Sequence, residues 1–421
     1  MSKQESFLYV LISGIILILI LAGFIEQGFL DTLRGLVALQ AHPARLIHDF
    51  TALEGAGAAL VNSGLVSALA LTLVKLAKVR LAGPTIAAIL TIMGFSLFGK
   101  TLLNVGPIIF GVYLSAKVGR KPFAAYLLIA LFGTALGPLV TYLVFQAGLT
   151  GLSSVLVGIL GGTVTGFFLP SIAISMLHLH QGYNLYNIGF SCGFFGLFAA
   201  SILAAAKMKI DIQVMWNQEP SLTLITLIPL TSVICIGSGI LLGKKKAFTD
   251  FLAIQRIPGR LPSDFVDQVS AEGTLVNMGL LGLLGSGYVF IVGGDFNGPV
   301  LGGLFTLMGF GAFGKHLKNC WPIVTGVTLS CFVFGKNLAA PGPILAALFG
   351  TTLAPLAGQF GVFIGIAAGF VHLVMVERTA AWHGGLDLYN NGFSGGLTAT
   401  LFVAILEWLK TTKESRKEGT Q

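Results

Sequence analysis

Residues 83–107 read GPTIAAILTIMGFSLFGKTLLNVGP, and residues 298–322 read GPVLGGLFTLMGFGAFGKHLKNCWP. The two stretches share a starting Gly-Pro, a central Met-Gly-Phe and a Phe-Gly-Lys in one constant register. A second motif closes each half of the chain, because HQGYNLYNIGFS at 180–191 is matched by HGGLDLYNNGFS at 383–394. A repeat of about 200 residues in a very apolar chain predicts a two-fold transporter or channel built around a central site.

The composition is that of a polytopic membrane protein. Mean hydropathy is +0.88, and only 10 % of the residues are charged, whereas a soluble domain carries about 25 %. The net charge of +8 does not indicate a nucleic-acid partner, because Lys and Arg fall in short loops and tails, where they set membrane orientation. The expected partners are the lipid bilayer and a small-molecule solute, and a homo-oligomer is left open.

Both halves show the same order of segments. These are a spanning helix (6–24; 221–242), a more polar, partly amphipathic segment (26–57; 244–272), a helix that starts at Asn62 or Asn277, the Gly-Pro hairpin and three further helices. Counting the hairpin as two segments gives seven per half, although the hairpins are short enough to re-enter the membrane. We therefore predict an all-α polytopic fold with membrane repeats at 1–215 and 216–410 and a charged cytoplasmic tail at 411–421.

The odd number of segments predicts that the second repeat is inverted relative to the first. With the amino terminus inside, 18 basic residues fall on the inner side, including Lys315, and seven on the outer side, including Arg45 and Lys100. The excess of inner basic residues is the asymmetry that bacterial membrane proteins show. The prediction is therefore a multi-pass protein of the bacterial inner membrane with both termini in the cytoplasm.

The Tyr-Asn motif of each half predicts a binding site. It begins the last helix and follows a polar, glycine-containing break, and non-helical backbone at membrane depth is tolerated only where it is buried in protein or lines a cavity. Amides, tyrosine hydroxyls and helix amino termini can bind a small polar solute there, although ordinary helix caps and interfacial aromatics are the alternative. The predicted substrate-binding residues are His180, Asn184, Tyr186, Asn187, His383, Asp387, Tyr389 and Asn390.

Two further predictions concern single positions. Asp387 is the most informative carboxylate, since an ionisable residue within a membrane segment is a functional candidate. Its counterpart in the first half is Asn184, and this broken symmetry suits a single coupling-ion or proton site, whereas a solvent-exposed helix cap is the alternative. Phe95 and Phe310 of the hairpins are predicted to line a pore, because apolar rings form constrictions in channels.

The duplicated motifs resemble those of a bacterial membrane-protein family known only as a domain of unknown function, and this resemblance covers nearly the whole chain. A looser similarity is to urea transporters, which also pair inverted halves. It rests on the hairpins that start at Pro84 and Pro299 and on the Tyr-Asn pairs at 186–187 and 389–390. The urea-transporter similarity implies a urea-like solute and a trimer.

The sequence as a whole predicts a transporter or channel for a small polar solute and not an enzyme. A membrane-embedded enzyme using His180 and His383 is the first alternative, and a non-transporting sensor or assembly subunit is the second. No cofactor or metal is predicted, because His178 and His180 are poorly spaced as ligands on one helix face and have no acidic or cysteine cluster beside them.

Overall fold

The computed structural model describes residues 3–208, 210 and 212–418, and within them the regular secondary structure is helical. The predicted all-α class is thereby confirmed. The helices of the first half are α1 (Lys3–Gln27), α2 (Phe29–Gln40), α3 (Phe50–Leu53), α4 (Gly55–Leu76), α5 (Gly83–Phe95), α6 (Leu102–Val118), α7 (Leu127–Gly133), α8 (Gly137–Phe145), α9 (Gly151–His180) and α10 (Asn187–Ala205).

The second half repeats this order helix for helix. Its members are α11 (Leu222–Gly243), α12 (Lys245–Ile254), α13 (Phe265–Gln268), α14 (Ala271–Ile291), α15 (Gly298–Phe310), α16 (Leu317–Val333), α17 (Pro341–Phe349), α18 (Ala354–Phe360), α19 (Val362–Trp382) and α20 (Asn390–Glu418). Short 3₁₀ segments flank α7 at 123–126 and 134–136, and one joins α17 to α18 at 350–353. Each Tyr-Asn motif starts a helix at its asparagine, as the sequence predicts.

Ten helical segments in the described part of the chain are long and apolar enough to cross a membrane. Their outward faces carry large apolar side chains, such as Ile25, Phe290 and Phe363, which are 84 %, 78 % and 87 % exposed. The helices α5 and α15 are apolar but have only 13 residues. A helix of that length is about 20 Å long, which is less than the hydrocarbon core of about 30 Å. Each therefore ends inside the protein.

Two expected boundaries differ from the observed ones. The helices predicted to start at Asn62 and Asn277 begin earlier, at Gly55 and Ala271. In the second half, the hydroxyl of Ser270 accepts a hydrogen bond from the Gly273 N–H and so caps the start of α14. The last helix, α20, continues to Glu418 and so extends past the predicted start of the tail at 411.

The short helices α5 and α15 pack against each other at the centre of the molecule and run antiparallel. Gly94, near the end of α5, approaches Gly302 near the start of α15, and Gly309 approaches Ala87 in the same way. A Cβ atom on Gly94 would lie 2.7 Å from the Gly302 carbonyl oxygen, and one on Gly309 would lie 3.2 Å from Ala87 Cα. Counterpart residues of the two helices thus make reciprocal contacts.

Candidate functional site

Two lysines lie buried where α5 and α15 end. Lys100 and Lys315 are each 0 % exposed and lie in the unwound segments that follow these helices. The assignment of Lys100 to an outer loop and of Lys315 to an inner loop was therefore wrong, and Arg45, also expected in a loop, is only 2 % exposed. The Phe-Gly-Lys motif carries an amine into the protein interior.

The Lys100 cluster, formed by Lys100, Thr134 and Tyr389, joins the two halves of the chain. Lys100 Nζ donates to Thr134 Oγ1 at 2.8 Å and to the hydroxyl of Tyr389 at 2.6 Å. A charged group at the membrane centre costs roughly 2.5–3.5 kcal/mol or more. The two hydroxyl acceptors, together with the face of the Tyr389 ring 4.6 Å from Nζ, offset that cost.

The Lys315 cluster repeats this arrangement with the halves exchanged. Lys315 Nζ donates to Thr351 Oγ1 at 2.7 Å and to the hydroxyl of Tyr186, which belongs to the first half. The Tyr186 ring packs edge-on against Phe310, with ring centroids 4.7 Å apart, as Tyr389 packs against Phe95 at 4.4 Å. Each lysine is thus bonded to the Tyr-Asn motif of the other half.

Two asparagines hold the unwound segments that carry the lysines. Asn62 Nδ2 donates to the carbonyl oxygens of Ser96 and Lys100 at 2.7 and 2.8 Å. Asn277 Nδ2 makes the equivalent bonds, at 2.7 Å to Gly311 and 2.8 Å to Lys315. Backbone carbonyls inside a membrane need such partners because no bulk water is there to satisfy them.

The Tyr-Asn turns are held by a histidine and an asparagine in each half. His180 Nε2 lies 2.9 Å from Asn187 Oδ1, and His383 Nε2 lies 3.0 Å from Asn390 Oδ1. Each amide nitrogen then donates to a backbone carbonyl 14 residues earlier in the chain, at 3.1 and 2.9 Å. Both asparagine side chains therefore fix the turn that joins the last two helices of their half.

Asn184 and Asp387 occupy equivalent places just before the two tyrosines. Both side chains are 0 % exposed. Asn184 Oδ1 accepts from the Tyr186 N–H at 3.2 Å, and Asp387 Oδ1 accepts from the Tyr389 N–H at 2.9 Å. The second oxygen of Asp387, Oδ2, is buried without a hydrogen-bond partner among the described residues.

A cavity of about 650 Å³ lies between the two halves. Its inner part, here called the chamber, is lined by pairs of equivalent residues, one from each half. The pairs are Thr91 and Thr306, Phe95 and Phe310, Phe132 and Phe349, Leu185 and Leu388, Tyr186 and Tyr389, Ile188 and Asn391, and Gly189 and Gly392. At its centre the two Tyr-Asn helix starts touch, because a Cβ atom on Gly189 would lie 3.1 Å from Gly392 Cα.

The rest of the cavity, here called the vestibule, leads from the chamber to the side of the molecule on which Leu261 and Pro262 lie. It is lined by residues of α7 and its approach, by the end of α9 and the turn after it (173–182), by Leu261 and Pro262 of the polar segment, and by Asn187 and Phe313. The counterparts of Leu261 and Pro262 are Leu46 and Ile47, and they do not border the cavity. The chamber is therefore symmetric, whereas its opening is not.

The segment that joins the two halves packs against residues 47–51 and against the second Tyr-Asn turn. Met215 pairs with His48 in an isolated parallel bridge, and the Met215 N–H donates to the Ile47 carbonyl at 3.0 Å. Ile210 and Ile212 pack over the glycines of the second Tyr-Asn turn. Asn217 Nδ2 also donates to Thr51 Oγ1 at 3.2 Å. We call residues 212–217 the linker strap.

Five of the ten predicted site and pore residues border the cavity, and five lie behind its wall. Those at the cavity are Phe95, Tyr186, Asn187, Phe310 and Tyr389. Those buried behind it are His180, Asn184, His383, Asp387 and Asn390. Solute binding by these residues stays a prediction.

One family model matches the chain twice, over residues 30–205 and 243–408. The chain belongs to that family, described as Protein of unknown function (DUF1576). The two matched segments correspond to the two halves seen in the sequence and suggest that the family unit is duplicated here. No curated protein and no solved structure matches the chain, so the similarity to urea transporters is unsupported.

Sequence reasoning missed the two lysines and their threonine partners. A signal for the lysines was available, because Phe-Gly-Lys recurs in both halves within otherwise apolar stretches. A basic residue that sits between two apolar segments of a hairpin is equally consistent with a loop, however. Thr134 and Thr351 lie in repeated Phe-Gly-Thr motifs, but nothing in those motifs distinguishes a lysine acceptor from a residue that bonds only its own helix.

Proposed function

We propose that this member of the family is an alternating-access carrier for a small organic solute. The observation that carries the proposal is the contrast between a symmetric chamber and a one-sided vestibule. A carrier with a central site between two repeats exposes that site to one side at a time. A pore open from end to end would need a vestibule on each side, and here the counterparts of Leu261 and Pro262 lie outside the cavity.

Pseudo-symmetry also supports a second conformation. The contacts at the mouth have counterparts on the closed side: the Leu261 N–H donates to the Gly182 carbonyl at 3.1 Å, and the Leu46 N–H donates to the Gly385 carbonyl at 3.2 Å. A conformation in which the two halves exchange roles would open the Leu46 side and close the Leu261 side. A solute that binds both forms of the chamber can then cross the membrane.

Inverted repeats are part of this proposal. The antiparallel contact of α5 with α15 supports inversion, because the two helices are counterparts in the repeat. Contacts between loops support it as well. Arg80 pairs with Asp267 at 3.1 Å, and the Gly83 N–H donates to Asp264 Oδ1 at 3.1 Å. An inverted arrangement places all four residues on the inner side of the membrane. The vestibule opens beside them.

The chamber lining favours a solute with an apolar or aromatic body. Four Phe and two Tyr rings surround it, and the tyrosine hydroxyls already accept bonds from the lysines. The Asn187 amide is occupied by His180 and the Ala173 carbonyl. Few free polar groups are left for a solute such as urea, which would lose its hydrogen bonds to water on entry.

Uptake into proteoliposomes tests the proposal. The probes are phenylacetate, phenethylamine and phenylalanine, each paired with a control that lacks the ring, namely acetate, ethylamine and alanine. We expect the protein to increase uptake of at least one ring-bearing probe over its partner. Phe95→Ala should abolish that uptake, whereas Phe110→Ala, on the exposed face of α6, should leave it unchanged. Protein-dependent uptake of none of the probes, or equal uptake with and without the ring, contradicts the proposal.

A further inference from the structure

The two halves differ at one buried position beside the chamber. In the first half, every polar atom of the Asn184 amide is satisfied. Its Oδ1 accepts from the Tyr186 N–H at 3.2 Å and from Thr352 Oγ1 at 2.5 Å, and its Nδ2 donates to the Gly392 carbonyl at 3.1 Å. The amide nitrogen is therefore a donor that faces the backbone of the other half.

In the second half, this arrangement has lost its donor. Asp387 stands in place of Asn184, and Ala135 stands in place of Thr352. Asp387 Oδ1 keeps the bond from the Tyr389 N–H at 2.9 Å. Asp387 Oδ2 corresponds to the amide nitrogen of Asn184, and it has no partner in the part of the chain that the structure describes. Asp387 Oδ2 can only accept a hydrogen bond while it is ionised, whereas the equivalent atom in the first half, Asn184 Nδ2, donates one.

We propose that Asp387 is a proton-binding site of the carrier, an inference that rests on the carrier function proposed above. When Oδ2 takes up a proton, the carboxylate becomes a carboxylic acid whose O–H can donate where Asn184 Nδ2 donates. When the turn opens to water, the acid releases the proton and becomes a carboxylate again. The step is a single proton transfer between the carboxyl group and water, and it needs no other reactant.

The groups around Asp387 favour a proton over a metal ion. The titratable groups that face it are Lys100 after α5, Cys192 on α10, and His383 and Tyr389 on either side in the chain. Only one carboxylate oxygen is free, whereas hard cations take about six oxygen ligands.

The position of Asp387 explains how a proton can influence opening. Asp387 lies two residues after Gly385, against which Ile212 packs on the closed side. It lies two residues before Tyr389, which borders the chamber. A charge change at Asp387 therefore acts on the turn that separates the chamber from the closed side. The first half has no ionisable residue at this place, so one proton would serve the whole cycle.

The decisive measurement is the pH dependence of thermal unfolding for the protein in lipid nanodiscs, compared with that of Asp387→Asn. If the folded protein holds a proton that the unfolded chain releases, stability falls as pH rises. Asp387→Asn should fold, because Asn184 shows that an amide fits this turn, and it should lose that part of the pH dependence. Asn184→Asp is the matched control, and it should steepen the fall.

A second readout uses dicyclohexylcarbodiimide, an apolar reagent that reacts with protonated carboxyl groups shielded from water. Mass spectrometry should find an adduct at Asp387 at acidic pH and its loss at alkaline pH, with none in Asp387→Asn. Identical unfolding profiles for wild type and Asp387→Asn overturn the proton site. Neither measurement needs a solute. Both therefore test the proton site independently of the carrier function, even if the uptake experiments contradict that function.

Discussion

Two buried amines link the halves of this molecule at the scale of single residues. Lys100 lies in the first half and bonds to Tyr389 in the second, while Lys315 and Tyr186 make the reverse connection. Neither amine can be rehydrated without opening the centre, so each depends on its hydroxyl partners. The same two tyrosines border the chamber. In the proposed carrier, solute binding at the rings would therefore be coupled to the packing of the halves through the same hydrogen bonds.

Removing one tyrosine hydroxyl should destabilise the fold. A hydrogen bond to a charged group contributes about 1.5–3 kcal/mol, and Tyr389→Phe leaves Lys100 with Thr134 as its remaining hydroxyl acceptor. We expect Tyr389→Phe to lower the free energy of unfolding by about that amount, measured by denaturant titration in detergent micelles. Tyr186→Phe should behave alike by symmetry. Tyr113→Phe is the control, since Tyr113 is exposed on α6; equal losses in the control and Tyr389→Phe would contradict a special role for the lysine bond.

The residues at the centre were only partly predictable from sequence. The repeated Tyr-Asn motif located both tyrosines at the chamber, because repetition and a polar break together mark irregular backbone inside a membrane. The roles of Asn187 and Asn390 were not predictable, since their histidine partners stand seven residues earlier and only the folded turn brings them into contact. The lysines were misassigned because a hairpin tip and a buried helix break have the same sequence pattern.

At the scale of helices, the centre depends on two elements too short to cross the membrane. The ends of α5 and α15 lie inside the protein, and each start is capped by an aspartate of the other half. Asp264 Oδ1 accepts from the Gly83 N–H at 3.1 Å, and Asp49 Oδ1 accepts from the Gly298 N–H at 3.2 Å. A negative charge at a helix amino terminus is favourable, so these caps fix both short helices in register.

The close approach of α5 and α15 should not tolerate a side chain. A Cβ atom on Gly94 would lie 2.7 Å from the backbone of Gly302, and backbone cannot move aside as a flexible side chain can. We expect Gly94→Ala to lower the melting temperature in detergent. Gly106→Ala, in α6, is the matched control, because nothing lies within 4 Å of its added Cβ and alanine favours a helix by about 1 kcal/mol. A fall of similar size in both variants would show that the contact is unimportant.

The helix order was predictable, whereas the helix limits were not. Hydrophobic segments and the internal repeat predicted seven membrane segments in each half, whereas five in each half of the described chain are long and apolar enough to cross a membrane. The hairpin helices α5, α6, α15 and α16 have only 13 or 17 residues. Helix starts were predicted at Asn62 and Asn277, but both residues lie inside helices and bond to the unwound carbonyls after α5 and α15. Sequence spacing alone cannot show that a polar side chain satisfies backbone more than 30 residues away.

At the scale of the whole molecule, the symmetry of the repeats is broken by the segment between them. The linker strap lies on the Leu46 side, and its contacts are spread over both halves. The Trp216 Nε1–H donates to Asp295 Oδ2 at 2.9 Å, and Asn297 Nδ2 donates to the Asn217 carbonyl at 3.0 Å. In the proposed carrier, these contacts would favour the conformation in which the Leu46 side is closed.

Loosening the linker strap should therefore open the second side. Cysteines at the equivalent positions Ile47 and Pro262 can be labelled with a membrane-impermeant maleimide, and the four native cysteines are buried. Pro262→Cys should react from the inner side, and Ile47→Cys should react weakly and only from the outer side.

The strap itself is tested by adding two substitutions to Ile47→Cys. Trp216→Phe and Asn217→Ala, which remove the bonds to Asp295 and Thr51, should raise labelling at position 47. Gln218→Ala, at an exposed position of the same segment, should not. Labelling of both cysteines from one side would contradict the inverted arrangement, and unchanged labelling at position 47 would show that the strap does not hold the closed side.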